Sequence, residues 1–269
     1  MSLQAISDND FAAISQLFYA ESGIRLGINK RSLVCGRLAP RLKALQLDSY
    51  GAYLQFITAR GNELERQLTV DLLTTNETYF FREQQHFDLL KDLLQQGWPG
   101  HVPQIWSAAC SSGEEPYSIA MTLAEHLGDK PWQVDASDLS NRMLSTAEQG
   151  LYPLSRAREV PSALLRKYCL KGLGQFDGYL LVEPGLRQRL SLHTHNLMEP
   201  VTRKKKYDLI FLRNVLIYFD AASKKTIINH LLQALQPGGL LFVGHSESLN
   251  GITDALVPLR PAVYRLAEV

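Results

Sequence analysis

The sequence has few cysteines, almost no net charge and no long apolar run. Its three cysteines, Cys35, Cys110 and Cys169, lie far apart and lack the paired spacing of a zinc site or a redox motif, so we expect reduced thiols in a cytoplasmic protein. A formal net charge of +1 gives no bulk reason to bind nucleic acid or an anionic membrane. No apolar stretch approaches about 18 residues and the N-terminus lacks signal-peptide features, so we expect neither export nor membrane insertion.

The composition is that of a folded globular protein. Of its 269 residues, 45% are hydrophobic and 20% are charged, which excludes disorder and a collagen-like chain. At about 150 residues per domain the length allows one large domain or two smaller ones, and we expect two. Apolar residues recur at helical intervals across 8–74, so the sequence predicts a small all-helical N-terminal domain over 1–74.

Beyond residue 98 the pattern changes to short apolar runs that alternate with helical stretches, which predicts an α/β domain with a parallel sheet over 75–269. Parallel strands are predicted over 104–109, 132–136, 190–195, 207–212 and 240–244. Helices are predicted over 116–127, 141–149 and 223–235. A turn is predicted at 236–239, and 262–266 is predicted to add a final antiparallel strand. A glycine-containing segment at about 170–189 predicts a small antiparallel β insertion.

A run of small residues at 110–113 follows the first predicted strand and leads into a helix, so the backbone there can approach a ligand closely. Dinucleotide-binding folds seat a pyrophosphate at such a turn. Here Glu114 and Glu115 occupy that place, so a cationic or neutral nucleoside ligand fits better. Asp138 follows the next strand, where α/β nucleoside sites place a carboxylate for ribose hydroxyls. Neither feature is specific alone, because small-residue turns and strand-end acids also occur by chance.

Four motifs, in order along the chain, closely resemble those of the CheR-type chemoreceptor glutamate methyltransferases. They lie at 75–83, 106–118, 212–219 and 235–239, and the resemblance covers nearly the whole chain. It implies a Rossmann-like class I methyltransferase domain behind the helical one. It also implies S-adenosylmethionine (SAM) as methyl donor, S-adenosylhomocysteine as product, and glutamate side chains of chemoreceptors as acceptors during sensory adaptation.

Carried over residue by residue, the resemblance implies a set of cofactor contacts and a reaction centre without a metal. The implied cofactor contacts are Asn76, Thr78, Arg82, Glu115, Asp138, Asn196, Leu197, Asn214 and Val215. Arg82 and Tyr218 are predicted to line the reaction centre as catalytic residues. Ala109 and Ser111 stand where broader Rossmann-like methyltransferases often have glycine, although small residues are also usual in this family. The alternatives are a cap or turn role for Asn214, core packing for Tyr218 and a solvated helix position for Arg82.

Two surfaces are candidates for partner binding. Between Glu21 and Asp48 there are six basic residues and no acidic one, and a helical projection aligns Lys30, Arg37 and Arg41. The resemblance favours docking of this stripe on the acidic, helical, cytoplasmic methylation region of a receptor. The alternative is a solvated face. In some family members the β insertion binds a receptor C-terminal pentapeptide by adding a strand, but the glycines here equally suit plain hairpin turns.

Two other functions compete with a monomeric methyltransferase. One is a noncatalytic SAM-binding adaptor of a chemosensory-like pathway, against which the intact candidate residues argue. The other is a nucleotide-dependent oxidoreductase, which the acidic residues of the first loop disfavour.

Overall fold

The structure is a computed structural model that describes residues 4–98 and 101–267. The described chain divides into two compact units. The first runs to Thr75 and also takes in Tyr218–Ser223, and the second comprises Asn76–Ile217 and the residues from Lys224 onward. The predicted division after residue 74 differs from this one, because it did not group Tyr218–Ser223 with the helical unit.

The first unit is helical, as its apolar spacing predicts. Its helices α1 to α4 span Asp8–Ser22, Arg31–Ala44, Tyr50–Thr58 and Glu63–Leu73. Helix α1 begins after Ser7, whose Oγ accepts a hydrogen bond from the backbone N–H of Asp10 at 3.0 Å. In α2, Val34, Leu38 and Leu42 recur every four residues and are completely buried. Each buried side chain of this size contributes about 1.5–3 kcal/mol, so this face holds the bundle together.

The second unit contains a seven-stranded sheet and a separate three-stranded sheet. Strands β1 to β10 span Ile105–Ala108, Val134–Asp138, Leu151–Pro153, Cys169–Lys171, Tyr179–Val182, Leu190–Thr194, Tyr207–Leu212, Leu235–Val243, Leu256–Arg260 and Val263–Leu266. Helices α5 to α10 span Gln85–Gln95, Glu114–Leu127, Asn141–Gln149, Ser162–Tyr168, Pro184–Arg187 and Ala221–Ala234. No helix of the described residues has the length and apolarity needed to cross a membrane.

The large sheet has the order β6-β2-β1-β7-β8-β10-β9. Its first five strands are parallel, and β10 is antiparallel to both of its neighbours. The order in which the chain adds strands reverses between β1 and β7. From β1 the chain adds β2 and then β6 on one side of the sheet, and from β7 it adds β8 on the other side. In open α/β sheets, ligands bind at the carboxyl ends of the strands beside such a reversal. The topology therefore places the site at the carboxyl edge of β1 and β7.

The predicted strands of the large sheet are confirmed, and three other features of the second unit need correction. The predicted turn at 236–239 lies inside β8, whose register against β7 shifts between Tyr207 and Leu209 and where Gly238 takes a φ of 72°. The small sheet begins at Leu151, well before the predicted insertion at about 170–189. Its first strand was not predicted, because a strand of three residues is too short to show alternation. Strand β9 was missed, since it carries Pro258 and is largely exposed at the sheet edge.

Candidate functional site

The loop after β1 follows a path that favours glycine. Ala109 and Ser111 have φ values of 66° and 49°, and Gly113, which precedes α6, has 98°. This left-handed conformation costs a residue with a side chain about 1–2 kcal/mol. At Gly113 there is also no room for a side chain, because a Cβ would lie 2.6 Å from Ala147 Cβ and 2.8 Å from Tyr152 Oη. Glycine is therefore required at position 113, whereas Ala109 and Ser111 adopt the left-handed conformation at a cost.

Asp138, the last residue of β2, holds this loop in place. Its Oδ2 accepts a hydrogen bond from the backbone N–H of Ser111 at 2.8 Å, and its Oδ1 accepts one from the N–H of Ser140 at 2.9 Å. The residue is 7% exposed. Because carboxylate oxygens accept hydrogen bonds, Asp138 suits a nucleoside whose ribose hydroxyls donate them, and that role of Asp138 remains a prediction.

The segment that begins at Asn76 lies against the same loop. Ser111 Oγ donates a hydrogen bond to the backbone carbonyl of Asn76 at 3.3 Å. Phe81 anchors the segment, because its side chain is buried and its N–H donates to Ser118 Oγ at 2.9 Å. Thr78, between these two contacts, is half-buried. The structure thus brings the candidate residues Asn76 and Thr78 to the carboxyl edge of β1.

Arg82 lies in a bend before α5, so the alternative of a solvated helix residue is wrong. Its Nη1 donates a hydrogen bond to the backbone carbonyl of Glu77 at 2.9 Å, and its guanidinium carbon lies 5.8 Å from the centre of the Tyr79 ring. These contacts turn the side chain back over its own segment. Its place in a reaction centre remains a prediction.

A buried arginine that the sequence reasoning missed joins two carboxylates. Arg213 follows β7, and its side chain is 1% exposed. Its Nη1 donates to Glu115 Oε2 at 2.8 Å, and its Nη2 donates to Glu83 Oε2 at 3.1 Å and to the backbone carbonyl of Arg82. Glu115 Oε1 accepts a further hydrogen bond from Ser107 Oγ at 2.7 Å. Burial raises the pKa of Glu115 above its ordinary value, although Arg213 and Ser107 oppose that shift.

Glu83 in turn orients Asn214. Asn214 Nδ2 donates to Glu83 Oε1 at 2.9 Å, and the backbone of Asn214 is left-handed with a φ of 56°. Burial opposes ionisation of Glu83, but the Asn214 hydrogen bond and the Arg213 charge outweigh it and hold the pKa below its ordinary value. Glu247 Oε2 fixes the main chain here, since it accepts from the N–H groups of Asn214 at 2.9 Å and Gly244 at 2.7 Å.

The first loop does not carry uncompensated negative charge, so that argument for a cationic ligand is wrong. Glu114 is completely buried, and its oxygens accept hydrogen bonds from Arg156 Nη1 and Ser112 Oγ, each at 2.7 Å. Glu115 is paired with Arg213. Both acids are therefore neutralised from within the unit, and a direct contact of Glu115 with the cofactor remains a prediction.

Asn196 and Leu197 follow β6, the neighbour of β2. The N–H of His195, just before them, donates to the carbonyl of Asp138 at 3.1 Å, which keeps this turn beside the end of β2. Asn196 Oδ1 accepts from the N–H of Met198 at 3.0 Å, and Leu197 is buried. This placement suits residues that contact the same ligand as Asp138. The cofactor contacts of Asn196 and Leu197 remain predictions.

Val215 and Tyr218 follow Asn214 along the chain. Val215 is half-buried, and Tyr218 closes a short 3-10 helix, Leu216–Tyr218, and is also half-buried. Tyr218 belongs to the segment that groups with the helical unit. Its predicted catalytic role and the cofactor contact of Val215 stay predictions.

Two arginines of the predicted docking stripe, Arg37 and Arg41, form hydrogen bonds within the helical unit. Arg37 Nη1 donates to the carbonyls of residues 72–74 at 3.1, 3.0 and 2.7 Å, which caps the end of α4. Arg41 forms two hydrogen bonds with Glu65, at 2.9 and 2.7 Å. Only Lys30 of the three is exposed. Two of the predicted docking cations thus stabilise the helical unit.

Counted along the chain within the large sheet, the strand order is 3-2-1-4-5-7-6. With the left-handed loop after the first strand and a carboxylate at the end of the second, this arrangement defines a class I SAM-dependent methyltransferase domain. The chain belongs to the CheR methyltransferase family. Residues 76–263 match the CheR methyltransferase SAM binding domain, and residues 9–74 match the CheR methyltransferase all-alpha domain.

Known relatives extend over both domains. The chain is 39% identical to a chemotaxis protein methyltransferase of Salmonella typhimurium over 267 residues, covering 98% of this chain and 92% of the relative. It is 39% identical to the Escherichia coli protein of the same name, with 98% and 93% covered. It is 42% identical to chemotaxis protein methyltransferase 2 of Pseudomonas aeruginosa over 259 residues, with 95% and 92% covered.

We expect Asp138→Ala to weaken SAM binding by about 1.5–3 kcal/mol, the range for hydrogen bonds to a charged group. The matched control is Asp208→Ala, since Asp208 also accepts a backbone hydrogen bond, from Gln104 N at 2.8 Å, but lies at the amino end of β7. Isothermal titration calorimetry with SAM on both variants measures the difference. Equal affinities in two folded variants would show that Asp138 serves only the loop.

Proposed function

We propose that this chain transfers the methyl group of SAM to glutamate side chains of chemoreceptors, forming methyl esters. The observation that carries the proposal is the similarity to chemotaxis protein methyltransferases over 98% of the chain, which includes the helical domain as well as the SAM binding domain. Similarity restricted to the SAM binding domain would not indicate which molecule accepts the methyl group.

The cofactor supplies an electrophilic methyl group on a positively charged sulfur. Asp138 would accept hydrogen bonds from the ribose, and the Glu83–Arg213–Glu115 network would hold Asn214 beside it. An acceptor glutamate has a reference pKa of about 4.3, so it is already ionised near neutral pH and no residue of the chain needs to remove a proton. The work of the chain is to position and partly desolvate that carboxylate, with Arg82 and Tyr218 as the candidates.

The test is methylation of a purified cytoplasmic receptor fragment with SAM that carries a labelled methyl group. We expect label that base releases as methanol, because a carboxyl methyl ester is hydrolysed by base, and we expect it to disappear when the acceptor glutamates are changed to alanine. Binding of SAM without any transfer would favour the adaptor alternative. Label that resists base would place the methyl group on another type of atom.

Docking of the receptor on the helical domain is proposed to use Lys30. We expect Lys30→Glu to lower kcat/KM for the receptor about two- to fivefold at low salt, the equivalent of about 0.4–1 kcal/mol for an exposed charge. The loss should shrink as salt is added. The control is Lys43→Glu, because Lys43 is also exposed but lies near the C-terminal end of α2, whereas Lys30 directly precedes that helix. Equal losses in the two variants would contradict a specific docking role.

We also propose that the small sheet binds a receptor C-terminal pentapeptide by strand addition. Its order is β3-β5-β4, so β4 lies at an edge, and Leu173 and Phe176 beside it are exposed. Titration with the free pentapeptide tests this, and absence of binding below millimolar peptide would contradict it. We further propose that the chain is a cytoplasmic monomer, which can reach receptor segments inside the cell.

A further inference from the structure

Glu83 and His86, three positions apart, come together with the distant His245 beside the Arg213 network. Their candidate ligand atoms all lie within 4.8 Å of one another. Two imidazoles and one carboxylate form a donor set that suits Zn²⁺ and related divalent transition ions. Sequence spacing could not reveal this cluster as a whole, because His245 lies 159 positions beyond His86 (245 minus 86).

His86 is the unusual member of the cluster. Its side chain is 2% exposed, and neither of its ring nitrogens has a hydrogen-bond partner among the described residues. The ring stacks on Phe242, with centroids 5.0 Å apart, and its Nδ1 points toward Glu83 Oε2 at 3.7 Å. A buried polar group left without a partner costs about 1–3 kcal/mol, a cost that a bound ion would remove.

His245 connects the cluster with solvent. It is exposed, its ring centroid lies 4.9 Å from that of His86, and its backbone N–H donates to Glu83 Oε2 at 3.2 Å. An ion can thus reach His245 first and then the buried members. Arg213 is the cation that competes for Glu83, and it is shared with Glu115.

We propose that Glu83, His86 and His245 form a binding site for a divalent transition ion of the zinc class, which is separate from the chemistry of methyl transfer. An ion that draws Glu83 toward the histidines weakens its hydrogen bond to Asn214. Zinc should then lower the affinity for the cofactor, and the cofactor should lower the affinity for zinc by the same factor. This coupling rests on the proposed role of Asn214, whereas the zinc site does not.

The site is tested by equilibrium dialysis of the chelator-treated chain with ZnCl₂. We expect the wild type to bind one zinc ion, and His245→Ala and His86→Phe each to weaken binding at least about tenfold, as expected on loss of a ligand. His86→Phe keeps a ring stacked on Phe242. The control is His101→Ala, since His101 Nε2 forms a two-member pair with Asp208 at 2.9 Å.

Three outcomes would overturn the site: no stoichiometric binding by the wild type, binding unchanged in both cluster variants, or an equal loss in the His101 control. Replacing Zn²⁺ by Co²⁺ adds a spectroscopic reading, because histidine coordination gives visible absorption that both cluster variants should lose. Calorimetry with S-adenosylhomocysteine, with and without zinc, tests the coupling. Unchanged affinity in zinc-loaded wild type would reject the coupling alone.

Discussion

Replacing Arg213 with methionine is expected to lower the free energy of unfolding by about 3–5 kcal/mol, the cost of leaving buried charges without their partner. Glu83 and Glu115 would then face each other across the site with no cation between them. We also expect SAM binding to be lost, since Glu83 orients Asn214 and Arg213 holds the carbonyl of Arg82. Urea unfolding followed by circular dichroism gives the stability, and calorimetry gives the affinity.

The control for this variant is Arg203→Met. Arg203 also pairs with a buried carboxylate, Asp135, at 3.3 Å, but Lys205 shares that carboxylate at 2.6 Å and Arg203 is 40% exposed. We expect a loss of at most about 1 kcal/mol there. Adding Glu115→Gln to Arg213→Met should recover part of the lost stability, because one unpaired charge is removed. If Arg213→Met costs no more than the control, the network does not stabilise the site.

Gly113→Ala should destabilise the chain by about 2–5 kcal/mol, with about 1–3 from overpacking against Ala147 and Tyr152 and about 1–2 from the left-handed backbone. The loop after β1 should shift, so we expect SAM affinity to fall as well. Gly178→Ala is the control, since Gly178 has a φ of 81° and no described atom within 4 Å of the added Cβ. It should lose only the backbone contribution of about 1–2 kcal/mol.

Thermal or urea unfolding of the two glycine variants separates the steric and backbone contributions. Comparable losses at Gly113 and Gly178 would mean that the crowding around Gly113 relaxes at little cost. The cofactor would then tolerate a different path of the first loop.

The parts of the fold that were predicted are those whose signal lies within one segment. Helical periodicity places Val34, Leu38 and Leu42 on one buried face, and a continuous apolar run at 209–212 marks the strand Tyr207–Leu212. The carboxylate at the end of β2 follows from the alternation of strands and helices. Strands β3 and β4 were missed because three residues are too few to show a period.

The parts of the site that were not predicted depend on pairs far apart in sequence. Arg213 meets Glu115 and Glu83 across 98 and 130 residues. A usable signal was present, since Arg213 directly follows the apolar run 209–212 of a buried strand, and a charged residue buried there requires a partner. Arg37 gave no comparable signal, because a cation that caps a neighbouring helix and a cation that faces solvent look the same in a helical projection.

The central claim is that the carboxyl edge of β1, β2 and β7 binds SAM, and calorimetry of the wild-type chain with SAM, S-adenosylhomocysteine and NAD tests it most directly. The account predicts that both adenosyl ligands bind at one site and that NAD does not bind there, since residues 76–263 match a SAM binding domain. Tight binding of NAD with no binding of either adenosyl ligand would contradict it.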